Sequence, residues 1–127
     1  MIKDICHFNS TVLNINGRPL QPLVESEFDY LMKAFAEEIN EIKEAHERQD
    51  LVEFVDGILD LCYFAIGGAY RAGVSPEKLE LCFQAIHEAN MTKKKGVQAK
   101  RGGVAVDAVK PDGWTPPEET IANILFG

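Results

Sequence analysis

The stretch LVEFVDGILDLCYFAIGGAY, Leu51 to Tyr70, constrains the fold more than any other, because it is apolar on nearly every side of the helix it predicts. Asp50 is suited to cap the start of that helix, and Gly73 to close it beyond Ala72. A surface helix keeps one polar face, so a helix that is greasy all round belongs in the middle of a bundle. Before it, residues 26–48 predict a second long helix, with Ser26 as the cap and neither proline nor glycine inside. Its apolar seam runs through Leu31, Phe35, Ile42 and Ala45 in steps of four and three. Two polar side chains interrupt this greasy pattern. Glu38 occupies the place that completes the first seam. Asp56 takes an inward place in a seam of the central helix that reads Val52, Asp56, Leu59, Tyr63, Ile66, Tyr70.

Those two residues belong to pairs. Glu38 and Glu41 form an ExxE, Glu53 and Asp56 an ExxD, and side chains three apart share a helix face. Antiparallel helices joined by a short turn bring the pairs opposite each other. Four carboxylates in a dry seam cannot all stay ionised without compensation, since burial and mutual repulsion raise their pKa values. A divalent cation removes the conflict, and hard oxygen donors suit Mg²⁺, with Mn²⁺ as a substitute. Asp60, one turn beyond Asp56, is placed either to reach the same ion or to orient a ligand. Acidic residues at this spacing are more often a solvated face, and Glu44 and Glu47 read that way. The inward places of Glu38 and Asp56 separate the pairs from that case. A di-iron carboxylate bundle calls for Glu-x-x-His, but Lys43 precedes His46 and Gln84 precedes His87 at that spacing.

The remaining sequence is less regular. Ser75 and Pro76 open a third helix through Leu79, Cys82, Phe83 and Ile86 to about Asn90. Residues 92–127 carry Lys94, Lys95, Lys100 and Arg101 in a basic loop or short hairpin, then TPPEETIANILF, a short amphipathic helix. Residues 1–25, with Asn16-Gly17, Pro19 and Pro22, read as an irregular arm. The 127 residues suit one domain, with residues 26–91 as its helical core. A formal charge of -7 disfavours nucleic acid and anionic membranes as partners. No segment approaches the roughly 18 uninterrupted apolar residues of a membrane span. Three cysteines without metal-type spacing, and an N-terminus without an apolar signal core, predict a cytoplasmic protein.

EEINE, EFVDGILDLCYFAIGGAYRAGV and HEANMTKKK, in that order, resemble the MazG-like all-α nucleoside triphosphate pyrophosphohydrolases. The similarity is greatest to the branch related to phosphoribosyl-ATP pyrophosphohydrolase. It covers about residues 26–95, with KPDGWTPP adding to it. The resemblance implies an all-α antiparallel bundle completed by oligomerisation, as a homodimer or homotetramer. It also implies Mg²⁺-dependent hydrolysis of a nucleoside triphosphate to the monophosphate and pyrophosphate. Carried over position by position, Glu38, Glu41, Glu53 and Asp56 are the metal ligands. Glu37 is the glutamate that takes the proton of the attacking water, or else a solvent-facing helix residue. Asn90 and Lys93 face the nucleotide, or else finish a helix. Phe8, Tyr63 and Trp114 are rings able to stack on a base or simply to pack. The alternative function is a catalytically silent nucleotide-binding or regulatory bundle. A purely structural oligomer leaves the inward carboxylates without a reason.

Overall fold

The computed structural model describes residues 1–127 and is mostly helical. Five helices, α1 (Ile2–Thr11), α2 (Glu25–Glu47), α3 (Leu51–Arg71), α4 (Pro76–Met91) and α5 (Glu118–Phe126), accompany two short strands, β1 (Lys94–Gly96) and β2 (Asp107–Val109). The expected all-α class is the one observed. The chain forms two compact units, residues 1–76 and 77–127. No helix is long and apolar enough to cross a membrane.

In the first unit, α3 starts as its sequence predicts: the Asp50 side chain accepts from the Glu53 backbone N–H at 3.0 Å. The start of α2 differs from expectation. It begins at Glu25 after Val24, with no side-chain cap, so Ser26 is already helical. The turn between them passes through Gln49 at φ 58°, and the Asp50 N–H returns to the Ala45 carbonyl at 2.9 Å.

Two glycines define how α2 and α3 meet. A Cβ on Gly57 would lie 2.7 Å from the Ile42 side chain, and one on Gly68 the same distance from Leu31. The eleven-residue step from Leu31 to Ile42 matches that from Gly57 to Gly68 in the opposite direction, so the helices run antiparallel in register. In this register Glu38 stands level with Asp60 and Leu61. Glu53 stands level with His46, eight residues and roughly 12 Å further along α2.

Residues 1–25 are not an irregular arm. Ile2 to Thr11 form α1, whose buried residues Ile2, Ile5, Cys6 and Asn9 follow the i, i+3, i+4, i+7 spacing of one helix face. The turn signals apply only to the segment after it. That segment is fastened to the end of α3: Tyr70 Oη donates to the Ile15 carbonyl at 2.7 Å, and the Gln21 N–H to the Ala72 carbonyl at 3.0 Å. Gly73, at φ 90°, leaves no room for a side chain, because a Cβ would come within 2.2 Å of the Pro19 carbonyl oxygen.

The second unit takes in α4, the antiparallel pair β1–β2 and α5, with Lys94 opposite Val109 and Gly96 opposite Asp107. The basic loop is therefore a hairpin, held by the Arg101–Asp107 ion pair and by Gln98 Nε2 donating to the Ala108 carbonyl at 2.7 Å.

Candidate active site

A cavity of about 390 Å³ opens between α1, α2 and α3. Its walls are mainly apolar, with Phe8 from α1, Leu31 from α2, and Tyr63 and Phe64 from α3. Glu38 and Asp60 lie along it, and so do Glu27 and Arg71. A pocket of this size and lining, with few polar groups, is typical of a small-molecule site.

Glu38 is the anomaly. Its Oε2 is sealed from solvent and has no hydrogen-bond partner. Burial foremost, then the negative charges of Glu41 and Asp60, a side-chain hydrogen bond with Glu41 and the charge of Asp56 hold its carboxyl above the ordinary glutamate value of 4.5. No cation is paired with it among the ion pairs of the structure. A buried polar atom without a partner is costly, and such atoms are rare enough to need a reason.

The expected site residues separate at this point. Glu38 is half-buried and inward, as its seam predicts. Asp56 is not inward: it is exposed, as are Val52, Leu59 and Tyr63 of the same seam. A helix apolar all round offers several seams, and the close contacts at Gly57 and Gly68 select a different one. That inward line carries Asp60, which is half-buried and lines the cavity beside Glu38. Glu41 and Asp56 are exposed but near enough to act on Glu38. Glu53 is exposed and is not among the charges that act on Glu38. Glu37 is exposed on α2.

Asn90 and Lys93 belong to the second unit. Asn90 is exposed, and its carbonyl accepts the Lys93 N–H at 3.0 Å in the last turn of α4. The Lys93 ammonium lies 5.0 Å over the Trp114 ring, as does that of Lys110, and the indole N–H donates to the Ala89 carbonyl at 2.9 Å. Lys93 is thus engaged with an aromatic face within its own unit.

The acidic group suits a hard divalent ion. No three acidic, histidine or cysteine side chains close into a cage able to hold an ion alone. Mg²⁺ does not require one, since it is usually held by one or two carboxylates and completes its shell with water and substrate phosphate. An orphaned buried carboxylate oxygen, with a second half-buried carboxylate lining the same cavity, is a donor set of that kind.

Residues 8–90 match the family described as phosphoribosyl-ATP pyrophosphohydrolase. The chain belongs to that family. It lies in the MazG-like all-α branch of pyrophosphohydrolases, and its chemistry is pyrophosphate-bond hydrolysis on a nucleotide-like substrate. No curated protein matches the sequence. The phosphoribosyl-ATP pyrophosphohydrolase match spans the whole of α2, α3 and the cavity, and it includes the end of α1.

The structure also places in the cavity residues that the sequence pattern did not single out. Asn9 lies in the cavity wall with only 4% of its surface exposed, the one buried polar residue of the chain. The signal was the one that singled out Glu38: a polar side chain at a seam position, here the seam of Ile2, Ile5 and Cys6. Glu27 and Arg71 also line the cavity, where Glu27 accepts from Arg71 at 3.3 Å and from Arg18 at 2.8 and 3.1 Å.

Proposed function

We propose that the chain hydrolyses a nucleoside triphosphate between its α and β phosphates, releasing the nucleoside monophosphate and pyrophosphate, and that it requires Mg²⁺. The observation that carries this reading is the sealed, unpartnered Glu38 Oε2 among the charges of Glu41, Asp56 and Asp60. In this reading Glu38 and Asp60 hold the ion from facing helices, and Glu41 and Asp56 complete the acidic rim. A bound divalent cation supplies neutralisation of the triphosphate and acidification of a water molecule.

The protein's own residues do the rest. The apolar walls exclude bulk water and strengthen the electrostatics within the cavity. Glu37, exposed one position before Glu38, is the proton acceptor that the family resemblance implies. Arg71 is the one cation lining the cavity, and it shares the Glu27 carboxylate with Arg18. The acidic end of the cavity takes the phosphates with their metal, and the apolar part takes the nucleoside.

The test is incubation with a panel of ribo- and deoxyribonucleoside triphosphates and Mg²⁺, with products resolved by ion-exchange chromatography. Monophosphate plus pyrophosphate is expected. Diphosphate plus orthophosphate overturns the bond assignment, and tight binding without turnover points to a silent nucleotide-binding protein.

A further inference from the structure

We propose that the side-chain amide of Asn9 reads the nucleobase of the bound nucleotide, which makes α1 the specificity element of the site. This rests on the nucleotide reading above and goes beyond it by assigning the base subsite. Asn9 is 4% exposed, and the surface it keeps lines the cavity. Its Nδ2 donates to the Ile5 carbonyl one turn back at 2.9 Å, which orients the amide. The opposite orientation would set Oδ1 against that carbonyl, two acceptors facing each other. One N–H is thus committed, leaving the second N–H and Oδ1 as an adjacent donor and acceptor.

The surroundings fit a planar heterocycle. Gly67 on α3 backs the amide closely, since a Cβ there would lie 3.2 Å from Nδ2 and 3.5 Å from Oδ1. Next to it Phe8 and Tyr63 meet edge to face at 5.6 Å, with 37% and 42% of their surfaces exposed, so an aromatic wall adjoins the polar edge. Gly67 is seven residues from Asp60 along α3, roughly 10 Å, a separation suited to a nucleoside whose phosphates lie at the acidic end. A side-chain amide pairs with a base edge that sets an N–H beside a ring nitrogen or carbonyl, which a bare sugar phosphate lacks. Where a site is built to hydrogen-bond a ligand edge, loss of the partner group costs selectivity more than packing does.

The test uses the wild-type chain and Asn9→Asp, which keeps the shape but removes both N–H donors, the one held by the Ile5 carbonyl included, and adds a negative charge. In ¹H–¹⁵N spectra with Mg²⁺ present, the Asn9 side-chain amide pair, identified by its absence from Asn9→Asp, is expected to shift on titration with nucleoside monophosphates. Ribose 5-phosphate is expected to leave it in place. Equal shifts with ribose 5-phosphate, or no shift with any base, overturn the proposal. In turnover, Asn9→Asp is expected to change the ratio of kcat/KM between the best and worst of four deoxynucleoside triphosphates by about tenfold or more. A uniform loss across all four, as a packing defect would give, overturns it. If the wild-type chain hydrolyses none of them while the amide still responds to bases alone, the proposed reaction fails and the base subsite stands.

Discussion

Glu27 and Glu38 are the same residue type, on the same helix and along the same cavity, yet their surroundings push them in opposite directions. Glu27 accepts two hydrogen bonds from Arg18 and one from Arg71, and the Arg18 pair foremost holds its carboxyl below the ordinary glutamate range. Glu38 has burial and three acidic neighbours instead, and its carboxyl is held above that range. The first carboxylate is satisfied within the chain and ties the start of α2 to the end of α3. The second has no counter-charge among the ion pairs of the chain. A fold can afford one such unsatisfied group if others like it are neutralised, and the contrast marks where chemistry rather than stability has set the residue.

The largest expected effect comes from removing the unsatisfied charge. Glu38→Gln should lower turnover by about a thousandfold or more while the helical circular dichroism persists. Its melting temperature without metal should rise by roughly 3 °C, because an uncompensated buried charge is lost. A variant that kept full activity would end the comparison outright.

The next effect sharpens where the acidic end lies. Asp60→Asn should reduce kcat/KM by about a hundredfold, and Glu53→Gln by no more than about twofold. Equal losses at Asp60 and Glu53 would mean that the Gly57–Ile42 register misplaces the ion, and would restore the ExxD pair as read from spacing.

Glu27→Gln probes the satisfied end. It leaves Arg71 and Arg18 without their carboxylate, and thermal melts should show a fall of roughly 5 °C at neutral pH. Its loss of turnover should be far smaller than that of Glu38→Gln.

The smallest effect is the pH dependence, and its sign differs at the two ends. A carboxylate with a raised folded-state pKa contributes stability that is complete below its unfolded value and lost as pH rises through the folded one. Glu38 therefore makes the metal-free chain less stable on going from pH below 4.5 to neutrality. Glu27, with a lowered value, contributes stability above its unfolded pKa and loses it as pH falls through the depressed one. Melting curves across this range should differ between wild type and Glu38→Gln by a few degrees at neutral pH, and excess Mg²⁺ should close that gap.

Much of this was legible from residue pattern. Asp50 as a cap, the two long helices and Glu38 in its seam follow from local rules, and the structure repeats them. The exposure of Asp56 and the cavity-lining place of Asp60 were not legible, because an all-round apolar helix does not declare its inward side. The deciding residues were Gly57 and Gly68, where the side chains of Ile42 and Leu31 on α2 pack into the space a Cβ would take. α1 was hidden by Asn16-Gly17 and the two prolines, which are real turn signals but govern only the segment after the helix. Its four buried positions carry a helical period, and a separate count over residues 2–9 finds it. The place of Lys93 was beyond reach, since the Trp114 ring that holds it lies 21 residues on, past a hairpin.

The tryptophan has a practical consequence. It is the only indole in the chain and lies within residues 77–127, while all three tyrosines, Tyr30, Tyr63 and Tyr70, lie within residues 1–76. Each compact unit therefore carries its own chromophore. Emission excited at the red edge of the absorption band watches one half of the chain melt, tyrosine absorbance watches the other, and a single unlabelled sample reveals whether the two halves come apart together.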